Sequence, residues 1–532
     1  MSSSEIETYR AKREAFINDD RSLRRENIWN QQRTEAEIKA DSTLRKLRDY
    51  EASTIWKEES ESILHPFPGM EFLTGRSIIV RTRIYQILSK MPKGALLHAH
   101  LDATVDQDKL LKLALKHPAM HVRVPEVVTA KNITSILPTF KPLPLSEYAD
   151  GPGVTDQTYN PDTFVSIQKA RSTFDPNLGG PEGFDKWVCS TMMINPAEAY
   201  GTHNTITKIW KKFASTFMVS TGLIRFVPVF TEYIREFFMS SIEDGISYVE
   251  PRINFMERYM VGEDGHQHVP HREWLIIFER VLDEVKAEMK RQGREDDFIG
   301  AKIIYSTLRF YTAKELVWYT EDCIALKKEF PHLIAGFDLV GDENVYKPLI
   351  DYLEPLQSFR RRQQEESVDI PFIFHAGETM GDGTTADMNL YDAILLGTKR
   401  IGHGFSIVKH PKLMELCREK GIALEVCPIS NEILRLTSSM PMHPLPIMLN
   451  NGIPVALSSD DPGTFGHMGL TFDYYQVLVS SEITGLSTLG AIARDSIEFS
   501  MMTDNEKQRA MTNWEKRWKE FIEGILSLEL AN

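Results

Sequence analysis

The chain has 532 residues, of which 42% are hydrophobic and 26% charged, and its formal net charge is −14. It is long enough for a large core, and its excess of acid argues against a polynucleotide partner, whose phosphates call for basic surface. No apolar run could span a bilayer, four cysteines are too few for a disulfide framework, and the opening MSSSEIETYRAKREAF has no apolar leader core, so a soluble, cytoplasmic protein is expected.

In chain order, residues 1–88 are rich in Glu, Arg, Lys and Gln, with apolar positions at Leu23, Trp29, Ile38, Leu44, Leu47 and Trp56. This pattern predicts a helical N-terminal extension with a narrow apolar stripe. Such a stripe must be buried, either on the protein's own body or as a dimerisation arm. From residue 89 to the end, short β-rich apolar runs alternate with longer helical stretches. Eight runs read as strands: 94–100, 246–253, 299–308, 333–341, 371–376, 399–403, 422–428 and 453–460. Strands buried on both faces and separated by helices predict an α/β fold, a (β/α)8 TIM barrel with its chemistry at the carboxyl ends of the strands. The gap of roughly 101–245 is too long for one crossover, and its prolines (Pro138, Pro142, Pro144, Pro152, Pro161) suggest an insertion after the first strand.

The strand ends carry the chemistry. His98 and His100 are two apart on a strand, so they point the same way. His375 and Glu378 follow the fifth strand, His403 sits between Gly402 and Gly404 after the sixth, and Asp460-Asp461-Pro462 ends the eighth. Three imidazoles and a carboxylate that converge would bind a divalent transition metal, with zinc the default. The bound water would then ionise near neutral pH. Glu378 suits a proton shuttle, or a first-turn carboxylate at a helix N-terminus. His403 could be a ligand, a base or an electrostatic stabiliser. Asp102 could orient a ligand or the substrate, or cap a helix, and the Asp460-Asp461 pair could instead cap the turn before Pro462. His266-Gln267-His268, in a loop flanked by Gly and Asp, is expected to be solvated, and Arg360-Arg361-Arg362 to be an exposed face.

The motifs MPKGALLHAHLDA, GFDLVGDE, FHAGE, RIGHG, CPISN and IPVALSSDDP resemble the adenosine deaminase family in identity, order and spacing. The helical extension and the MPKGALLHAH form resemble its adenosine deaminase-related growth factor branch. The resemblance implies one zinc per chain on His98, His100, His375 and Asp460. It implies that Glu378 protonates purine N1 and that His403 positions the hydroxide. Asp461 would meet N7, the backbone of Gly341 would meet N3, and Asp102 would meet the ribose. The implied reaction is hydrolytic deamination of adenosine, and of 2′-deoxyadenosine, to inosine and ammonia. AMP, N6-methyl-AMP or another aminopurine is the alternative substrate, with Lys169, Arg171 or Lys186 available for a phosphate. A non-catalytic signalling protein on the same fold is the other alternative. The branch also implies a homodimer through the N-terminal helices. Its members are typically secreted and disulfide-bonded, and this sequence shows neither mark.

Overall fold

Short β-branched runs walled by amphipathic helices close here into a barrel. The computed structural model describes residues 3–30, 32–61, 63–148 and 151–528. The eight strands are β1 (Gly94–Leu96), β2 (Ile246–Val249, continuing as Arg252–Asn254), β3 (Gly300–Ala301, continuing as Ile303–Leu308) and β4 (Ile334–Val340), followed by β5 (Phe374–Ala376), β6 (Arg400–His403), β7 (Ala423–Val426) and β8 (Val455–Leu457). Each pairs in parallel with the next, from β1 with β2 round to β7 with β8, β4 meeting β5 through the Phe337–Phe372 bridge. The ring closes where Ala99 bridges Asp460: His100 N donates to Asp460 O at 3.0 Å, and Asp460 N donates to His98 O at 3.1 Å. Closure therefore sets His98, His100 and Asp460 side by side before any side chain interacts. The break in β2 falls at Pro251, which has no N–H for the ladder.

The stretch between β1 and β2 folds as a lobe. It holds a small antiparallel sheet of Met120–Arg123 between Thr139–Pro142 and Val165–Ser166, and the helices Gly180–Thr191 and Ile206–Ile224. The last helix of this range, Val227–Glu243, packs on β2 and on helix His271–Arg291, and so belongs to the barrel wall.

Much of the N-terminal extension lies on its own barrel. Helix Glu35–Ser53 packs along the C-terminal helix Asp504–Leu526, helix Glu26–Asn30 against Leu486–Glu498, and helix Arg83–Leu88 against Thr471–Val479. Of its stripe residues Leu44, Leu47 and Trp56 are buried and Trp29 is half-buried, but Leu23 and Ile38 are exposed, and the first helix, Ser3–Asp20, leaves Ile6, Tyr9 and Phe16 exposed too. His266 and His268 sit on an exposed hairpin edge. None of the four cysteines is in a disulfide, and Cys323, Cys417 and Cys427 are buried. Among the described residues, no helix is long and apolar enough to cross a membrane.

Candidate active site

Parallel strands deliver their last side chains to one mouth, and the candidate residues meet there. Nε2 of His98 and Nε2 of His100 lie 3.2 and 3.3 Å from the same oxygen of Asp460, Oδ1. The ring of His375 is 4.5 Å from that of His98 and 5.3 Å from that of His100, centroid to centroid. His403 is 4.7 Å from His98, with its Nε2 3.6 Å from Glu378 Oε1 and 3.7 Å from Asp460 Oδ2. Two tight groups result. Ligand atoms of His98, His375, His403 and Asp460 lie within 4.8 Å of one another, and so do those of His100, Asp460 and Asp461.

His403 and Asp460 both have positive φ, 59° and 61°. A residue with a Cβ avoids this region at a cost of roughly 1–3 kcal/mol, and such strain clusters at functional sites. Asp461 stands before the short helix Pro462–Phe465 but makes no side-chain cap, and its buried Oδ1 has no hydrogen-bond partner. Glu378 is not in a first turn, because the next helix begins at Thr385. Gly341 follows β4 at φ 112°, where a Cβ would stand 3.0 Å from the Tyr346 ring. Asp102 is half-buried in the turn Leu101–Ala103.

The histidines are oriented from behind. His98 Nδ1–H donates to Glu425 at 2.7 Å, and His375 Nδ1–H donates to Asp338 at 2.6 Å. Arg252 joins these two carboxylates, donating to Asp338 and to Glu425 at 2.7 Å each, and Arg400 ties Glu425 to Glu250. All five charged residues are buried inside the barrel. A carboxylate on Nδ1 fixes the ring and leaves Nε2 as the free lone pair, as metal-binding histidines require. His98 Nε2 and Asp460 Oδ1 are buried without a hydrogen-bond partner. Orphaned polar atoms facing one another are costly unless a cation joins them, so the donor set fits a zinc-type ion.

His403 is oriented by a different chain. Leu445 N–H donates to His443 Nδ1 at 3.0 Å, so His443 carries its proton on Nε2 and donates it to Asn431 Oδ1 at 3.1 Å. The Asn431 amide then donates to His403 Nδ1 at 3.2 Å, leaving the His403 proton on Nε2, toward Glu378 and Asp460. Ser430 donates to Asp460 Oδ2 at 2.8 Å. The loop bearing Glu378 is anchored by Glu343, which accepts from Glu378 N at 3.0 Å and from Asn389 at 2.6 Å and is paired with Arg309. Burial, followed by the nearby charges of Asp460 and Glu343, holds the Glu378 carboxyl well above the usual carboxylate range.

Sequence reading missed Asp338, Glu425, Arg252, Arg400, Glu343, Asn431 and His443. For the first four a signal existed: a charged residue inside a strand otherwise apolar on both faces, as in IAGFDLV and ALEV. For His443 there was none, since it lies in a loop with no strand pattern.

Fold and mouth together define a parallel α/β barrel with a candidate metal centre at the carboxyl ends of its strands. The family model "Adenosine deaminase" matches residues 195–516. Adenosine deaminase 2 of Sus scrofa is 33% identical over 493 residues, covering 92% of this chain and 89% of its own. Adenosine deaminase 2 of Homo sapiens is 32% identical over 474 residues, covering 88% and 86%. The apo N6-methyl-AMP deaminase of Arabidopsis thaliana superposes with a TM-score of 0.54 at 17% identity, over 82% of this chain and 99% of its own. A zinc-bound amidohydrolase from Burkhoderia ambifaria reaches a TM-score of 0.51 at 16% identity, over 84% of this chain and 95% of its own. At such identities the two structures speak for the fold alone. The chain belongs to the adenosine deaminase family, and its relatives named adenosine deaminase 2 agree with the growth factor branch that the extension resembles.

Proposed function

We propose that the protein hydrolyses adenosine and 2′-deoxyadenosine to inosine or deoxyinosine and ammonia. The observation that carries this reading is the mouth itself: orphaned His98 Nε2 and Asp460 Oδ1 face one another beside Glu378, whose carboxyl burial pushes well above the usual carboxylate range. His98, His100, His375 and Asp460 would hold one zinc. When bound, such an ion would supply Lewis-acid chemistry that lowers the pKa of a water at the site toward neutral.

The chain's own groups supply the rest. Water oxygen adds to purine C6 as Glu378 gives its proton to N1 and recovers one from the water; the remaining hydroxyl proton passes to N6, and the C6–N6 bond breaks, leaving a C6 carbonyl and releasing ammonia. His403, its proton on Nε2, steadies the attacking oxygen. Asp461, with an unengaged buried oxygen, meets N7; the Gly341 backbone meets N3; Asp102 meets the ribose. A nucleoside is favoured over a nucleotide because Arg171 is committed to Asp185 at 2.8 Å and Lys186 is exposed.

An ultraviolet assay of zinc-loaded protein with adenosine, deoxyadenosine, AMP and N6-methyl-AMP tests this. Turnover of the nucleosides is expected. Turnover of a nucleotide alone would overturn the substrate, and inactivity on all four would overturn the reaction.

The exposed Ile6, Tyr9 and Phe16 of the first helix support a homodimer built through the extension, and a monomeric mass in solution would refute it. Four free cysteines support action in the reducing cytoplasm, and location of the native protein outside the cell would refute that.

A further inference from the structure

Away from the mouth, a cleft of ≈ 90 Å³ separates the N-terminal extension from the C-terminal helices, lined by Trp29, Arg33, Glu37, Ser487, Arg494 and Trp518. Arg494 belongs to helix Leu486–Glu498, and its guanidinium carbon lies 4.6 Å from the Trp29 ring centre and 4.4 Å from that of Trp514. Trp514 in turn stacks on Trp518 at 5.0 Å. The aromatic faces hold the guanidinium by cation–π attraction but leave its N–H groups without acceptors.

Arg494 makes no hydrogen bond or ion pair with any described residue, and its Nε is buried and unpartnered. The interior arginines differ: Arg252, Arg309 and Arg400 are each fastened to a carboxylate. Carboxylates do stand near Arg494, but they are engaged elsewhere. Glu37 accepts from the Thr34 backbone at 2.8 Å and from the Trp518 indole at 2.9 Å. Asp495 takes both prongs of Arg25 at 2.6 Å. Glu515, the third carboxylate whose charge reaches Arg494, is itself exposed to solvent.

The second cation, Arg33, enters from the extension side and is only loosely paired, 3.5 Å from Asp41. Ser487 lies in the first turn of the Arg494 helix, where unpaired N–H groups favour an anion.

We propose that this cleft is a phosphate-binding site, in which a tetrahedral dianion bridges Arg494 and Arg33 and ties the extension to the barrel. A guanidinium fork matches two oxygens of such a group, and a second guanidinium suits its second charge. The phosphate is either inorganic or the terminal group of a small metabolite.

Thermal unfolding in inorganic phosphate, against chloride and acetate at matched ionic strength, is the test. A saturable rise in Tm of about 1–2 °C is expected with phosphate alone. Arg494→Gln should abolish it. Ser487→Glu places a carboxylate in the cleft at a helix position that tolerates acid, and should abolish it too, so the test survives if the arginine variant does not fold. No rise beyond chloride, an equal rise with acetate, or a rise that either folded variant retains would overturn the proposal. If phosphate passes, ribose 5-phosphate titrated the same way separates the sources: binding tighter than inorganic phosphate assigns the site to a metabolite, and weaker binding to the free ion.

Discussion

Asn431 donates its side-chain amide to Nδ1 of His403, 3.2 Å away, and thereby decides which nitrogen of that ring carries the proton. The decision originates at a backbone N–H, that of Leu445, and reaches His403 through His443 and Asn431. A main-chain donor cannot reverse its polarity, so the whole chain has one sense.

Asn431→Ala should therefore lower kcat by about 10–100-fold, the usual effect of removing a partner that orients a site residue. Zinc content should stay the same, because His98 and His375 are oriented separately by Glu425 and Asp338. Steady-state kinetics beside metal analysis checks this; loss of metal in step with kcat would show a merely structural role.

Glu378→Gln should reduce turnover by about 10²–10⁴-fold while retaining the metal. The amide keeps the shape of the side chain and its place near His403 but has no acidic proton to give. Full activity in this variant would refute the assignment of Glu378 as proton donor.

Asp338→Asn and Glu425→Gln should each weaken zinc binding by about 10–100-fold, measured by competition with a chelator. Each also breaks a buried ion-pair network around Arg252, so a loss of about 3–5 kcal/mol in stability is expected. Unchanged chelator sensitivity would mean that these carboxylates serve packing only.

Glu432 makes stability depend on pH. It accepts from Phe72 N and from the Tyr200 hydroxyl at 3.0 Å each, joining the extension, the lobe and the barrel. Burial raises its carboxyl from 4.5 to about 8. The folded chain thus binds a proton that the unfolded chain has released between these values, and stability from this group falls as pH rises through that window, by about 1.4 kcal/mol per unit. Glu432→Gln should flatten this part of the profile and raise stability relative to the native protein at pH 8. A parallel pair of denaturation profiles would refute it.

The barrel, and the strand ends from which its chemistry would come, were legible in the apolar pattern of the chain. Parallel strands are buried on both faces, so they appear as apolar runs, and a polar residue at the end of such a run stands out; His98, His375, His403 and Asp460 were visible for that reason. Distance became legible only in the folded chain. Asp460 lies far along the chain from His98, and barrel closure alone sets one against the other. Asp338, Glu425, Arg252 and Arg400 stand out as charges within apolar strands, but how they pair was hidden for the same reason. A buried charge is tolerable only beside its partner, and here the partners come from different strands. The extension shows the same division. Its stripe announced that Leu44, Leu47 and Trp56 had to be covered, but only the packing of helix Glu35–Ser53 on Asp504–Leu526 showed by what, because hydrophobic burial is non-directional and names no partner.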